Sequence, residues 1–313
     1  MARSGLLPDQ SLGAIRSPNR RHDRRSFCKY MPVSTALAVL GSRSLRWSSP
    51  VLFNDPFDVP RELVFGVTPS ALVEACGRQL EALIERPPAD TTHLLPQLRY
   101  LIDAVKFGID AELKAELLAG ITETVRTQHP TGQAMDDIRA RWRSWIPEAR
   151  ILCLTECPAH MAMWFHYADK YRGVVLELRC ADELDSAWLA ARPVTYPKNS
   201  SEAYTADGWA GLLTLRVDLA VETLLYVAMT TKTPDWSYES EWRVASWKRP
   251  SESGHYSDYK FNAEELTAVY LGPLISASGR KEVTKAAASY PRVKVIAASI
   301  GMSRDLDFTE VVT

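Results

Sequence analysis

No apolar run in this chain of 313 residues is long enough to span a bilayer, and its N-terminus lacks the apolar block of a secretory signal. No membrane partner is therefore expected. Cysteine is scarce: Cys28, Cys76, Cys153, Cys157 and Cys180 are odd in number and mostly far apart, which speaks against a disulfide framework and for reduced thiols in a cytoplasmic setting. Cys153, Cys157, His160 and His166 have a faintly ligand-like spacing without a matching second half, so no metal centre is expected. Gly-x-Gly-x-x-Gly, a phosphate-binding Gly-Lys-Ser/Thr loop, Gly-x-Ser-x-Gly and His-Glu-x-x-His are all missing. Those absences lower the odds of hydride transfer on a doubly wound domain, P-loop hydrolysis, esterase chemistry and zinc proteolysis. An excess of charge is missing too. Lys plus Arg number 37 against 38 Asp plus Glu, so wholesale wrapping of nucleic acid is not expected, although a local basic groove remains open.

What remains is the composition of a globular protein, 46% hydrophobic and 24% charged, with enough chain for one large domain. Residues 1–26, rich in Arg, Ser, Pro and Gly, read as a flexible basic tail, and residues 27–313 as a single α+β domain. Phe27–Met31 predicts a strand, Ser34–Leu40 a helix capped by Ser34 and ended by Gly41, and Leu45–Ser49 a second strand. From about 69 to 146 apolar residues recur at helical spacing, for example Leu72, Ala75, Cys76, Gln79, Leu80 and Leu83, and predict a helical insertion. Strands are then expected at Ile151–Glu156, Gly173–Leu178, Leu213–Leu219, Leu224–Val227, Trp242–Trp247, Leu266–Leu271 and Val293–Ser299. Short helices are expected at Met161–Ala168 and Ala277–Tyr290.

The stretch from Lys232 to Val244 carries most of the chemical information. Glu239 and Glu241 stand two positions apart among aromatics, and an extended strand would present both on one face, with Tyr238, Ser240 and Trp242 on the other. Acids on a half-buried strand need a reason, because an unpaired buried carboxylate is costly. They could hold a sugar hydroxyl and stabilise positive charge at an anomeric carbon. Equally, Arg243, Lys232 or Lys248 could neutralise them, and spacing alone leaves both readings open. Other candidates are scattered: Lys29 as a point charge for phosphate, Tyr30 for stacking or hydrogen bonding, Ser48 and Ser49 at the end of the second strand, and His166 and Tyr167 beside Trp164. Phe53-Asn54-Asp55-Pro56-Phe57-Asp58 reads as a constrained turn. It is either a well-packed loop or one rim of a ligand cleft.

Four ordered blocks resemble the bacterial family catalogued as domain of unknown function 2971. They are Lys29-Tyr30 with Leu45–Pro50 and Phe53–Asp58; Cys153–Glu156; Met163–Asp169 with Tyr171–Leu176; and Lys232 with Trp236–Arg243. The layout is also similar to the ADP-ribosyltransferase superfamily. That resemblance implies a split mixed or antiparallel sheet that holds NAD in a bent pose. It implies Glu241 as the catalytic acid at the nicotinamide ribose and Glu239 as the helper that positions the nucleophile. Ser48 or Ser49 would order the cleft, and Lys29 or Tyr30 would contact ribose or phosphate. The first strand departs from the superfamily, which usually shows Arg or His there. The implied activity is transfer of ADP-ribose from NAD to a protein or nucleic-acid acceptor, as in a toxin or phage-defence effector. The alternatives are a module that binds a nucleotide or phage component without chemistry, and a hydrolase that uses the same acids.

Overall fold

The computed structural model describes residues 16–128, 131–199 and 201–311. Its elements confirm a mixed α+β architecture. The first strand, β1 (Ser26–Met31), leads into α1 (Val33–Ser42) and β2 (Ser44–Ser48). Pro32, not Ser34, holds the N-cap position of α1, with no side-chain cap bond, and Arg43 ends the helix in a left-handed conformation at φ 52°, two residues beyond the expected stop at Gly41. The helical stretch then follows as expected: α2 (Pro69–Glu85), α3 (Pro96–Lys106), α4 (Ala111–Gln128) and α5 (Thr131–Trp145). Next come β3 (Ala149–Thr155), α6 (Met161–Tyr167), β4 (Val174–Arg179) and the short β5 (Arg192–Pro193).

The two strands expected at Leu213–Leu219 and Leu224–Val227 are helices instead, α7 (Ala206–Leu213) and α8 (Val217–Thr230). The physical reason lies in the spacing of Ala220, Val221, Leu224, Leu225 and Ala228, all buried, which is one stripe of a helix rather than a strand face. The Thr205 hydroxyl opens α7 by accepting from Gly208 N at 3.1 Å. The chain ends with β6 (Glu241–Trp247), β7 (Tyr256–Lys260), β8 (Leu266–Leu271), α9 (Ala277–Ala287), β9 (Lys294–Ile300) and β10 (Leu306–Glu310). Expectation missed β7 and β10, whose polar Ser-Asp-Tyr and Leu-Asp-Phe-Thr-Glu sequences suit edges of a sheet rather than its middle.

The strands form one sheet in the order β10-β9-β8-β4-β1-β3-β2-β7, with β6 and then β5 on the remaining edge of β3. Among the described strands β8 and β9 pair in parallel, joined through α9, and the other strand pairs are antiparallel. The register at β3 shapes the molecule. Thr155 faces both Cys28 of β1 and Glu241 of β6, while Ile151 faces both Ser48 of β2 and Ala245 of β6. A residue has two strand neighbours only on opposite edges, so β1 and β2 share one edge of β3 and diverge along it. The sheet is split there.

Strand alternation sorts side chains onto two faces. Phe27, Met31, Leu152, Leu154, Val244 and Val269 join one core with Val39 and Leu40 of α1 and Val283 and Ala287 of α9. On the other face Cys28, Tyr30 and Val175 pack with Met163 and Trp164 of α6, and Ile151 packs with Trp142 and the helices around it. Between these two second-face clusters lies the mouth of the split.

Residues 1–15 of the expected flexible tail lie outside the described residues. From Ser17 onward the chain is tied to the body rather than solvated. Arg20 makes a two-point bridge to Asp182 at 2.8 and 2.7 Å, and Ser17 Oγ donates to Asp185 at 2.5 Å. His22 sits edge-on to Phe27 and Trp242, donates from Nε2 to Trp188 O at 2.9 Å and accepts from Arg24 N at Nδ1. Burial, with Arg20 and Arg24 nearby, lowers the His22 pKa.

Gly173 marks a close backbone approach at the end of β1. Asp169, Lys170 and Tyr171 all have positive φ (45°, 50° and 70°), and this left-handed turn brings Gly173 N to Ala168 O at 2.7 Å. A Cβ on Gly173 would run into Met31 O and stand 2.9 Å from Ala168 Cα, both backbone atoms that cannot swing aside. Gly173→Ala is expected to cost about 1–3 kcal/mol or more in urea unfolding. The His22 contribution to stability has a defined sign: with its folded pKa below the unfolded value of about 6.5, it is present above that pH and lost as pH falls. Unfolding free energy should therefore drop between neutral and mildly acidic pH, and His22→Gln should reduce that drop.

Candidate ligand-binding cleft

Glu239 and Glu241 do meet, but not for the reason their spacing suggests. Glu239 ends a 3-10 turn, Pro234–Glu239, and Ser240 is left-handed at φ 43°, so only Glu241 belongs to the strand. The two-residue period of β6 instead places Glu241 and Arg243 on one face. Arg243 Nε donates to Glu241 Oε1 at 2.8 Å and its Nη2 to Oε2 at 2.9 Å, a fork that fits a carboxylate. The same Nη2 reaches Asp58 Oδ2 at 2.7 Å. Lys232, just past α8, places Nζ 2.6 Å from Glu239 Oε2, 3.5 Å from Glu241 Oε2 and 3.7 Å from Asp58 Oδ2. Tyr167 of α6 donates to Glu239 Oε1 at 2.5 Å, and Thr155 donates to Glu239 O. All five charged side chains are at least nine-tenths buried.

Their electrostatics follow from this packing. Burial pushes the Glu241 carboxyl up, but the Arg243 fork and Lys232 outweigh it and hold the group below the usual carboxylate range. Burial and the neighbouring Glu241 raise Glu239, opposed by Lys232 and Tyr167. Burial lowers Lys232, but Glu241 and Glu239 prevail and leave it raised. Burial and then Glu239 raise the Tyr167 hydroxyl, and burial and then Glu241 raise the Cys153 thiol.

This cluster floors a cavity of about 120 Å³ at the split of the sheet. Lys29, Tyr30, Asn54, Tyr167, Glu239 and Glu241 all line it, joined by Asp58 and Lys232. Lys29 reaches across the wedge and donates to Cys153 O at 2.7 Å, and burial lowers its pKa. Ser48, Ser49 and His166 are not among the lining residues. Ser48 pairs with Ile151 in the sheet. Ser49 is fully buried, donates from Oγ to Ile146 O at 2.7 Å and accepts from Val51 N, which makes it a structural cap. His166 is exposed, its ring 6.2 Å from that of Tyr238. The residue missed by sequence reasoning is Asp58. It closes the Phe53–Asp58 turn, but no local signal shows that its carboxylate meets Arg243, 185 residues away.

Buried partners are costly to remove singly, because each leaves an uncompensated charge. Arg243→Met is expected to cost about 3–5 kcal/mol in denaturant unfolding. Combining it with Glu241→Gln and Asp58→Asn should recover more than half of that loss. Equal losses in the single and triple variants would contradict the charge balance.

Among the described residues, no group of three or more His, Cys, Asp or Glu could hold a metal ion, and no helix is long and apolar enough to cross a membrane. No curated protein and no solved structure matches the chain. A family model does match: residues 163–244 fit the family described as "Protein of unknown function (DUF2971)", a stretch running from α6 into β6 that includes Tyr167, Lys232, Glu239, Glu241 and Arg243. The resemblance to that family, drawn from the sequence motifs, is thus carried by the segment that supplies most of the charge cluster.

Proposed function

We propose that this chain binds a nucleotide-class ligand at the split of the sheet, NAD being the first candidate, and that Glu241 serves in the architecture of the site. One observation supports this reading above the others. Both Glu241 oxygens are forked by Arg243, with Lys232 alongside, so this carboxylate has little capacity left to follow a change of charge in a substrate. Groups with spare capacity lie elsewhere. Lys29 has one partner for three ammonium hydrogens among the described residues, and the buried Asp58 Oδ1 has none. An amine and a carboxylate oxygen in this state suit a hydroxylated, hydrogen-bonding head group such as a ribose or a carboxamide ring. The inner volume of about 120 Å³ agrees, being well below the ~300–1,000 Å³ of sites that enclose a whole small molecule.

ADP-ribosyl transfer is the second reading, and its support is that Glu239 and Glu241 line the same cavity with Tyr167. The divergence of β1 from β2 is the feature that would make this an ADP-ribosyltransferase-like core. In that reading Glu241 is the acid at the ribose, Glu239, held by Tyr167 and Lys232, positions the nucleophile, and a protein or nucleic acid accepts the ADP-ribose. Transfer onto such an acceptor is also what a toxin or phage-defence role requires. Hydrolysis differs only in delivering water to the same carbon.

Calorimetry with NAD, ADP-ribose and nicotinamide, alongside chromatography for released nicotinamide, separates these readings. Binding without release is expected, with NAD affinity reduced about tenfold by Lys29→Met, the scale of one charge-assisted hydrogen bond. Asn54→Ala, at an exposed position on the rim, should weaken NAD without loss of stability. Nicotinamide release with label appearing on an acceptor would favour transfer, and release without an acceptor would favour hydrolysis. Failure of all three compounds to bind would refute both readings. Glu241→Gln does not decide the matter through activity, because it breaks the Arg243 fork and should lower stability as well.

A further inference from the structure

Beside the inner cavity lies a larger one of about 470 Å³, and the two share Asp58 and Lys232 in their walls. We infer that this outer cavity is a second binding site, for the phosphate-bearing, ring-containing part of a nucleotide. The inference rests on the reading above only for the inner half of such a ligand.

The volume falls within the range of small-molecule sites. The lining combines two kinds of surface. Pro56, Phe57, Pro197 and Tyr204 offer flat apolar walls, and Phe57 is 80% exposed. Lys198, Asn199 and Thr233 contribute polar ends that bond to no other side chain or backbone group among the described residues, as does the Tyr204 hydroxyl. Charge fixes the sign of the ligand. Lys232 is committed to Glu239, with Glu241 and Asp58 close by, and Asp58 is bridged to Arg243. Lys198 is left as the uncompensated charge of this cavity. A cation, an amide and hydroxyls beside flat apolar walls suit a phosphate attached to a planar base.

Calorimetry on the full chain with AMP, adenosine and NAD tests this. AMP is expected to bind, adenosine about tenfold more weakly, and Lys198→Glu to weaken AMP about tenfold or more, the scale of one hydrogen bond to a charged group. Lys198 is exposed, so its replacement should not disturb folding. Lys281→Glu, the same change at an exposed position of α9, should leave AMP binding intact, which excludes a general effect of net charge. Lys29→Met should weaken NAD but spare AMP. If AMP fails to bind at millimolar concentration, or binds no better than adenosine and is indifferent to Lys198→Glu, the outer site is overturned, even if NAD still binds the inner cavity. If AMP binding depends on Lys198 while NAD binding is indifferent to Lys29→Met, the inner reading falls and the outer site stands.

Discussion

The Arg243–Glu241 fork is the interaction on which the rest of this site depends. It lies within one strand face, so it forms wherever β6 forms, and it costs the chain little to orient. Arg243 Nη2 also bonds Asp58, from the turn after β2, while its Nη1 is buried without a partner. Lys232 adds the end of α8, and through Glu239 the 3-10 turn before β6. Segments far apart in sequence are thereby joined by charges that have left water. Such a cluster contributes little net stability compared with an apolar core, but any single missing member leaves a buried ion without its counter-ion. Its value is positional. It fixes the loops that wall both cavities.

The split at β3 provides the space. Where β1 and β2 diverge, the edge of β3 between Ile151 and Thr155 lacks a continuous strand partner, and a buried carbonyl there needs a donor. Lys29 supplies one by bonding Cys153 O. The lysine thus meets a need of the backbone and, with the same ammonium, leaves hydrogens directed at the cavity. That double duty explains a charged residue in a strand whose Phe27, Cys28, Tyr30 and Met31 are all buried.

Much of this was legible in the chain. The apolar run Val174-Val175-Leu176 identified a central strand, and the helical recurrence from Leu72 onward identified the insertion. Both signals depend on periodic burial, which local sequence records directly. Leu213–Leu219 and Leu224–Val227 misled because short apolar runs fit either period, and only the longer stripe from Ala220 to Ala228 decides for a helix. The acids were recognisable as a pair needing neutralisation, with Arg243 and Lys232 correctly among the candidates. Their geometry was not. It turns on the left-handed Ser240, which no polar or apolar pattern encodes. Ser48 and Ser49 looked like site residues because they end a strand beside the turn. Ser49 is in fact consumed by Ile146 O and Val51 N. Asp58 stood out only as part of a turn that could rim a cleft, because its partner Arg243 lies 185 residues away in the chain.

The polarity of the two cavities follows from this arrangement and limits what can occupy them. Around the inner cavity Lys29, Lys232 and Arg243 stand against Asp58, Glu239 and Glu241, three charges of each sign. A charged head group entering there would disturb a balance held in a poorly solvated space, at a cost its own contacts would have to exceed. The ribose hydroxyls and carboxamide of NAD meet no such penalty, whereas the positive charge of its nicotinamide ring needs the unpartnered Asp58 Oδ1 beside it. Outside the Asp58–Lys232 partition the balance ends, and Lys198 stands without a counter-charge among the described residues. The anionic end outward, beside Lys198, is the orientation these fields favour. A ligand with its phosphates inward would set them against the buried carboxylates of Asp58, Glu239 and Glu241.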